Sequence, residues 1–246
     1  MIWCESPFIV VAISTSGLPS KKYHPATLDI GAVLVSAAPE NGGVRTVAGL
    51  DRGGVYSSLI RCSDELLFMP EARKARDLHG ITPEMSRRAP TMDAVAISLN
   101  AWRESVQSQV GLIGGWGSYT NKFMIQMLES TVLWESLGGV LPLYDVGATT
   151  KTHLGLGSKD SGRMIDLYRR LLVSEHWMRW GNEHDGRALH QAWRTAQIAA
   201  ALEVVQAVET PETSGQTQEK NLVQYLETWG MDLVDLEAWQ VGNNAD

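Results

Sequence analysis

"VVAISTSGLP" (residues 10–19) is the stretch on which the fold turns. Its apolar start is short and bounded by turn residues, so residues 7–13 predict a buried strand. Gly17-Leu18-Pro19 then bends the chain away. Working outward, "TLDIGAVLVSA" (27–37) predicts a second strand. The turn-forming "PENGG" (39–43) and the stretch 44–50 predict a hairpin and a third strand, with residues 51–62 continuing the sheet after another Gly-Gly turn. Three consecutive strands with short turns make an antiparallel meander.

Helical signals follow. Residues 70–78 are charged and helix-compatible, with Gly80 as the stop. Thr91 caps a helix over 91–105, with Ala94, Val95, Leu99 and Trp102 on one face. Residues 111–116 predict a fourth strand, 118–136 a long helix and 140–146 a fifth strand. Further helices are expected over 165–173 and, rich in alanine, over 187–208. Strand and helix alternating in the second half imply parallel pairing. The expected fold is therefore α/β: a mixed sheet of five strands, an antiparallel meander plus parallel strands, flanked by helices.

Composition narrows the class. The 246 residues are 44% hydrophobic and 20% charged, as in a globular protein, and suffice for one sizeable domain with an appendage. No apolar run reaches the roughly 18 residues of a membrane span. Neither a basic leader nor a cleavage pattern opens the chain, and two cysteines, Cys4 and Cys62, make no disulfide framework. The expectation is a cytoplasmic protein with reduced thiols and no membrane partner. Net charge is −7, and the segment from residue 207 onward, with eight acids and one base, carries all of it. The preceding body is formally neutral, so charge alone does not announce a nucleic-acid binder. Residues 209–220 have linker composition, and 221–246 read as an acidic amphipathic helix. The expected organisation is thus a domain over 1–208, a linker and a C-terminal helix.

Four stretches, in order, resemble the DEDDh (DnaQ-like) family of 3′→5′ exonucleases across residues 7–205. "ISTSGL" (13–18) looks like the end of that family's first strand and its Gly-Leu turn. "LDIGAV" (28–33) looks like its second strand, and "LHGITPEM" with "APT" (78–85, 89–91) like its helix-turn segment. "RALHQAWRTAQIAAAL" (187–202) looks like its last helix, and "WGSYTNKFM" (116–124) adds a weaker match to its third motif. The resemblance implies a ribonuclease H-like fold.

It also implies a chemistry that these letters do not supply. Such enzymes hold two divalent metals about 4 Å apart between four carboxylates, with a histidine as general base. Mg²⁺ wants hard oxygen ligands, so methyls, amides and hydroxyls do not replace the set. The resemblance puts the four acids on Ala12, Ser14, Thr120 and Gln191, and the base on Gly186. Ala12 alone would look engineered; five different replacements look like a lineage that kept the scaffold and gave up hydrolysis. No cofactor and no metal are expected, and the melting temperature should be indifferent to metal.

The alternative is an active 3′→5′ exonuclease with a relocated Mg²⁺ or Mn²⁺ site using His184, Asp185 and His190, with Asp29 and Asp145 on neighbouring strands. The bland reading of these histidines is polar surface or a satisfied buried imidazole. A pseudo-nuclease would serve as a structural, recruiting or nucleic-acid-binding subunit of a larger nucleic-acid-processing assembly. Candidate single-strand contacts are Lys21, Lys22, His79, Arg87, Arg88, Lys122 and Arg187, supported by Arg73, Lys74 and Arg76; an ordinary solvated surface is the plainer account. A further alternative is a protein-interaction module or inhibitor with no nucleic-acid role. Nine tryptophans are many for this length, and Trp177, Trp180, Trp229 and Trp239 are the candidate anchors for a protein partner or self-association.

Overall fold

The computed structural model describes residues 7–18, 23–36, 54–106, 112–116, 127–128, 131–136, 143–153, 156 and 187–209. Strand β1 (Phe8–Thr15) is rich in β-branched residues and lies antiparallel to β2 (Thr27–Val35), from Phe8 opposite Val35 to Ser14 opposite Asp29. The register slips between Ser14 and Thr15, so Thr15 faces Thr27. Strand β3 (Val55–Leu59) continues the antiparallel ladder on the far side of β2, from Asp29 opposite Leu59 to Val33 opposite Val55. On the other side of β1 lie β4 (Leu112–Gly115) and β5 (Leu143–Asp145), giving the order β3-β2-β1-β4-β5.

The expected sheet needs correcting. Among the described residues, its antiparallel part consists of β1, β2 and β3, and β3 (Val55–Leu59) falls within the stretch 51–62; residues 44–50 lie outside the described residues. The second half contributes a short parallel edge, β4 pairing with β1 over Phe8–Val10 and with β5 over Ile113–Gly115. The reason is local. β4 reads LIGG, and its two glycines have no side chain to pack. β5 is three residues long and runs directly into a helix.

Alternation along β1 and β2 sorts the core into two faces. Ile9, Val11, Ile30 and Ala32 pack with Ile60, Leu128, Leu133 and with Val95, Ala96 and Leu99 of helix α4 (Met92–Val106). Thr91 accepts from the Ala94 N–H at 3.4 Å and, through its carbonyl, from Val95 at 3.0 Å, which starts that helix. Tyr56 ties β3 to it, its hydroxyl donating to the Val95 carbonyl at 3.1 Å.

Between β3 and α4 runs an arm of short helices: α1 (Asp64–Phe68), a 3₁₀ turn (Pro70–Ala72), α2 (Arg73–His79) and α3 (Pro83–Arg88). Leu67 and Ile81 anchor it against Leu28 of β2. After β4 come α5 (Val132–Ser136), β5, α6 (Val146–His153) and the long α7 (Ala188–Glu209). The helix expected over 165–173, the acidic helix over 221–246 and all of the linker beyond Glu209 lie outside the described residues.

Candidate functional site

Helix α7 covers the second face of the sheet. Its buried residues Ala188, Ala192, Thr195, Ala196 and Ala199 recur at helical spacing, so the side that meets β1 and β2 is nearly smooth. The approach is closest at Gly31. A Cβ placed there would lie 2.4 Å from the backbone N and Cα of Leu189, so no larger residue fits without moving the helix.

Ala12 and Ser14 alternate with Ile9, Val11 and Ile13, which belong to the α4 side, and therefore face α7. Opposite them in register stand Gly31 and Asp29. Gln191 lies half-buried in the first turn of α7, one helical turn before Thr195. Ala12 and Ser14 thus lie on the face that α7 covers and Gln191 on the first turn of that helix: a methyl, a hydroxyl and an amide.

Asp29 is a carboxylate on this face, and it is fully buried. Its Oδ2 accepts from Arg187 Nε at 2.7 Å and from the Ala188 N–H at 3.0 Å. The acid therefore pairs with a cation and satisfies a free amide at the start of α7, where a negative charge is favoured. Arg187 is also the helix entry, its carbonyl accepting from the Gln191 N–H at 3.1 Å. Burial pushes the Asp29 carboxyl above the usual range; Arg187, the Ala188 amide and His190 pull against it. Its Oδ1 has no hydrogen-bond partner.

Asp145, the other acid available to a relocated centre, is engaged in a similar way. Its Oδ1 accepts from the Ala148 N–H at 2.8 Å and caps α6. Among the described residues, no three His, Cys, Asp or Glu side chains come together as a metal site would require. The residues present at the family positions do not fit a two-metal centre, because Ala12, Ser14 and Gln191 offer no carboxylate.

The arm presents a different chemistry. His79 is buried at 3% exposure, and its Nδ1 accepts from the Ile81 N–H at 3.0 Å. Burial lowers its pKa to about 4, helped by Arg187 and Arg76 and opposed by the Thr15 backbone. The imidazole is neutral at pH 7, with Nε2 lacking a hydrogen-bond partner. Gly80 closes α2 in the left-handed region at φ 65°, its N–H donating to the Arg76 carbonyl. Thr82 caps α3 by accepting from the Met85 N–H at 3.2 Å, and Pro83 takes the first helical position.

The other candidate contacts are dispersed. On α3, Arg88 pairs with Glu84 at 2.7 Å and Arg87 lies 3.7 Å from Asp64, both at the exposed surface. Arg187 is 22% exposed beside Asp29. His190 is half-buried on α7. Lys21, Lys22, Thr120, Lys122, Trp177, Trp180, His184, Asp185, Gly186, Trp229 and Trp239 lie outside the described residues. The residue that sequence reasoning undervalued is Asp29. An acid inside an otherwise apolar strand is the signal that could have found it, since a buried carboxylate needs a partner.

Comparison with known proteins agrees with this architecture. No family model matches the chain, and no curated protein matches it. Solved structures do. A 3′-exonuclease, in a structure of 3′-end-specific recognition of the histone mRNA stem-loop, aligns over 80% of this chain and 63% of its own, at 11% identity and TM-score 0.56. The nuclease domain of 3′hExo, a DEDDh family member bound to rAMP, aligns over 82% of this chain and 92% of its own, at 12% identity and TM-score 0.53. Exonuclease I of E. coli, in complex with single-stranded DNA, aligns over 82% of this chain and 41% of its own, at 14% identity and TM-score 0.55. The chain therefore spans less than two thirds of the 3′-exonuclease in the first of these structures and less than half of exonuclease I. At such identities the likeness is one of fold, and the fold is that of the DEDDh, ribonuclease H-like exonucleases.

Proposed function

We propose that this chain is an exonuclease-like protein without metal-dependent hydrolysis, which acts as a nucleic-acid-binding or recruiting subunit of a nucleic-acid-processing assembly. The observation that carries the reading is the face under α7. Ala12, Ser14 and Gln191 stand at the marked positions there, and Asp29 is held by Arg187 and the Ala188 amide. Hydrolysis would need carboxylates to place two cations and a water, and these side chains supply none. Support for a nucleic-acid role comes from the likeness to exonucleases in complex with RNA or DNA. Without a carboxylate cluster, a strand's phosphates meet less repulsion, so binding needs no metal.

The test is retention of a labelled single-stranded oligonucleotide in a gel, in EDTA and in Mg²⁺, over a salt series. The reading predicts a shift that is equal in both and weakens as salt rises. No shift at low salt would count against strand binding and direct the search to a protein partner.

A further inference from the structure

Among the described residues, two carboxylates on the sheet, Asp29 and Asp145, each hold a helix start. Asp145 caps the helix that directly follows it in the chain, which is local chemistry. Asp29 is different: its partner Arg187 is 158 residues away, on another element. We propose that the Asp29–Arg187–Ala188 contact is a built-in latch that fixes the last helix on the sheet without any metal ion, so that the helix keeps its seat independently of metal.

Three observations point the same way. First, this contact lies at the start of α7, in the turn that also holds Gln191. A pair of divalent ions bound between β1 and this helix would tie the helix to the same sheet, and here Ala12, Ser14 and Gln191 supply no carboxylate to hold them. Second, the sheet-facing side of α7 is built of alanines, which bury little apolar area each. Small side chains bring the helix close but hold it weakly, so its first turn needs a directional anchor. Third, Gly31 allows the backbone of Ala188 and Leu189 to sit against β2, two residues along from Asp29, which brings the Ala188 amide within reach of the carboxylate. The latch and the close approach depend on each other: without Gly31 the helix would stand off, and without Asp29 its first amide and Arg187 would lose their buried acceptor.

This inference rests on the placement of Ala12, Ser14 and Gln191, not on nucleic-acid binding. It can therefore fail while the proposed function stands, or stand while that function fails.

Backbone amide exchange on the whole chain tests it, using wild type, Asp29→Asn, Arg187→Gln and the double variant, each in EDTA and in Mn²⁺. In Asp29→Asn the amides of Ala192, Thr195 and Ala196 should exchange about tenfold faster or more, while those of Ile9, Val10 and Val11 stay slow. Arg187→Gln should accelerate the same amides, and the double variant should add little to Asp29→Asn, because both changes break one contact. Mn²⁺ should slow α7 in none of them. Unchanged exchange in α7 of Asp29→Asn, fully additive effects, or slowing by Mn²⁺ in wild type would overturn the latch. Should Asp29→Asn fail to fold, Arg187→Lys and Arg187→Gln carry the test. Lysine keeps the charge without the guanidinium fork, so it should accelerate α7 less than glutamine does; two variants as slow as wild type would overturn the proposal.

Discussion

Beneath α7, the positions that the resemblance marks for chemistry hold no carboxylate, and packing constrains the residues around them. In the arm from α2 to α3, nearly all the letters remain, and each has a structural reason. His79 accepts from Ile81, Gly80 supplies the left-handed residue that ends α2, and Thr82 with Pro83 starts α3. The two regions teach the same lesson from opposite sides. On the proposed reading, a scaffold without catalysis sheds the residues that only catalysis needs, here carboxylates. It retains those that the backbone needs, whether or not they belong to a recognisable motif. Gly31 and Asp29 belong with the second group although they lie within the first region.

The strongest way to break this comparison is Gly31→Val. The added Cβ would meet backbone, which cannot swing aside as a side chain can, and α7 would have to lift from β2. We expect a loss of about 3 kcal/mol or more in urea denaturation, of the order of severe overpacking. A variant within about 1 kcal/mol of wild type would show that the close approach is not a requirement.

His79 sharpens the contrast through pH. Its folded pKa, about 4, lies below the unfolded value near 6.5, so the unfolded chain takes up the proton first. The stability due to the neutral imidazole is complete above pH 6.5 and is lost as pH falls towards 4. In His79→Asn, whose side-chain oxygen can still accept from the Ile81 N–H, that part of the pH dependence should vanish. Parallel stability curves for the two proteins between pH 7 and 4 would mean that His79 is not held neutral in the arm.

Smaller effects test the punctuation of the arm. Gly80→Ala puts a Cβ on a left-handed residue and should cost about 1 kcal/mol. Thr82→Ala removes an exposed cap and should cost about 0.5–1 kcal/mol. Both are read by thermal or urea melts. If both were neutral, the retained letters of this arm would need a cause other than local structure.

Much of this was legible in the sequence. Alternation and β-branching marked β1 and β2, Thr91 marked the start of α4, Gly80 the end of α2, and the alanine-rich stretch the last helix. The bounds of β3 within the stretch 51–62 were not. They are set by pairing with β2, from Asp29 opposite Leu59 to Val33 opposite Val55, which no local signal encodes. The missing carboxylates could be read letter by letter. The work of Asp29 could not, since its partner enters from the far end of the chain. Nor could the burial of His79, whose neighbours Thr15 and Arg187 come from distant segments.

The central claim is that this exonuclease fold does not hydrolyse nucleic acid. Its most direct test is incubation of the protein with a 5′-labelled single-stranded oligonucleotide in Mg²⁺, Mn²⁺ or EDTA, followed for shortening from the 3′ end. The account predicts full-length strand under all three conditions. Metal-dependent shortening that disappears in the His184→Ala, Asp185→Ala variant would contradict it and establish a relocated centre.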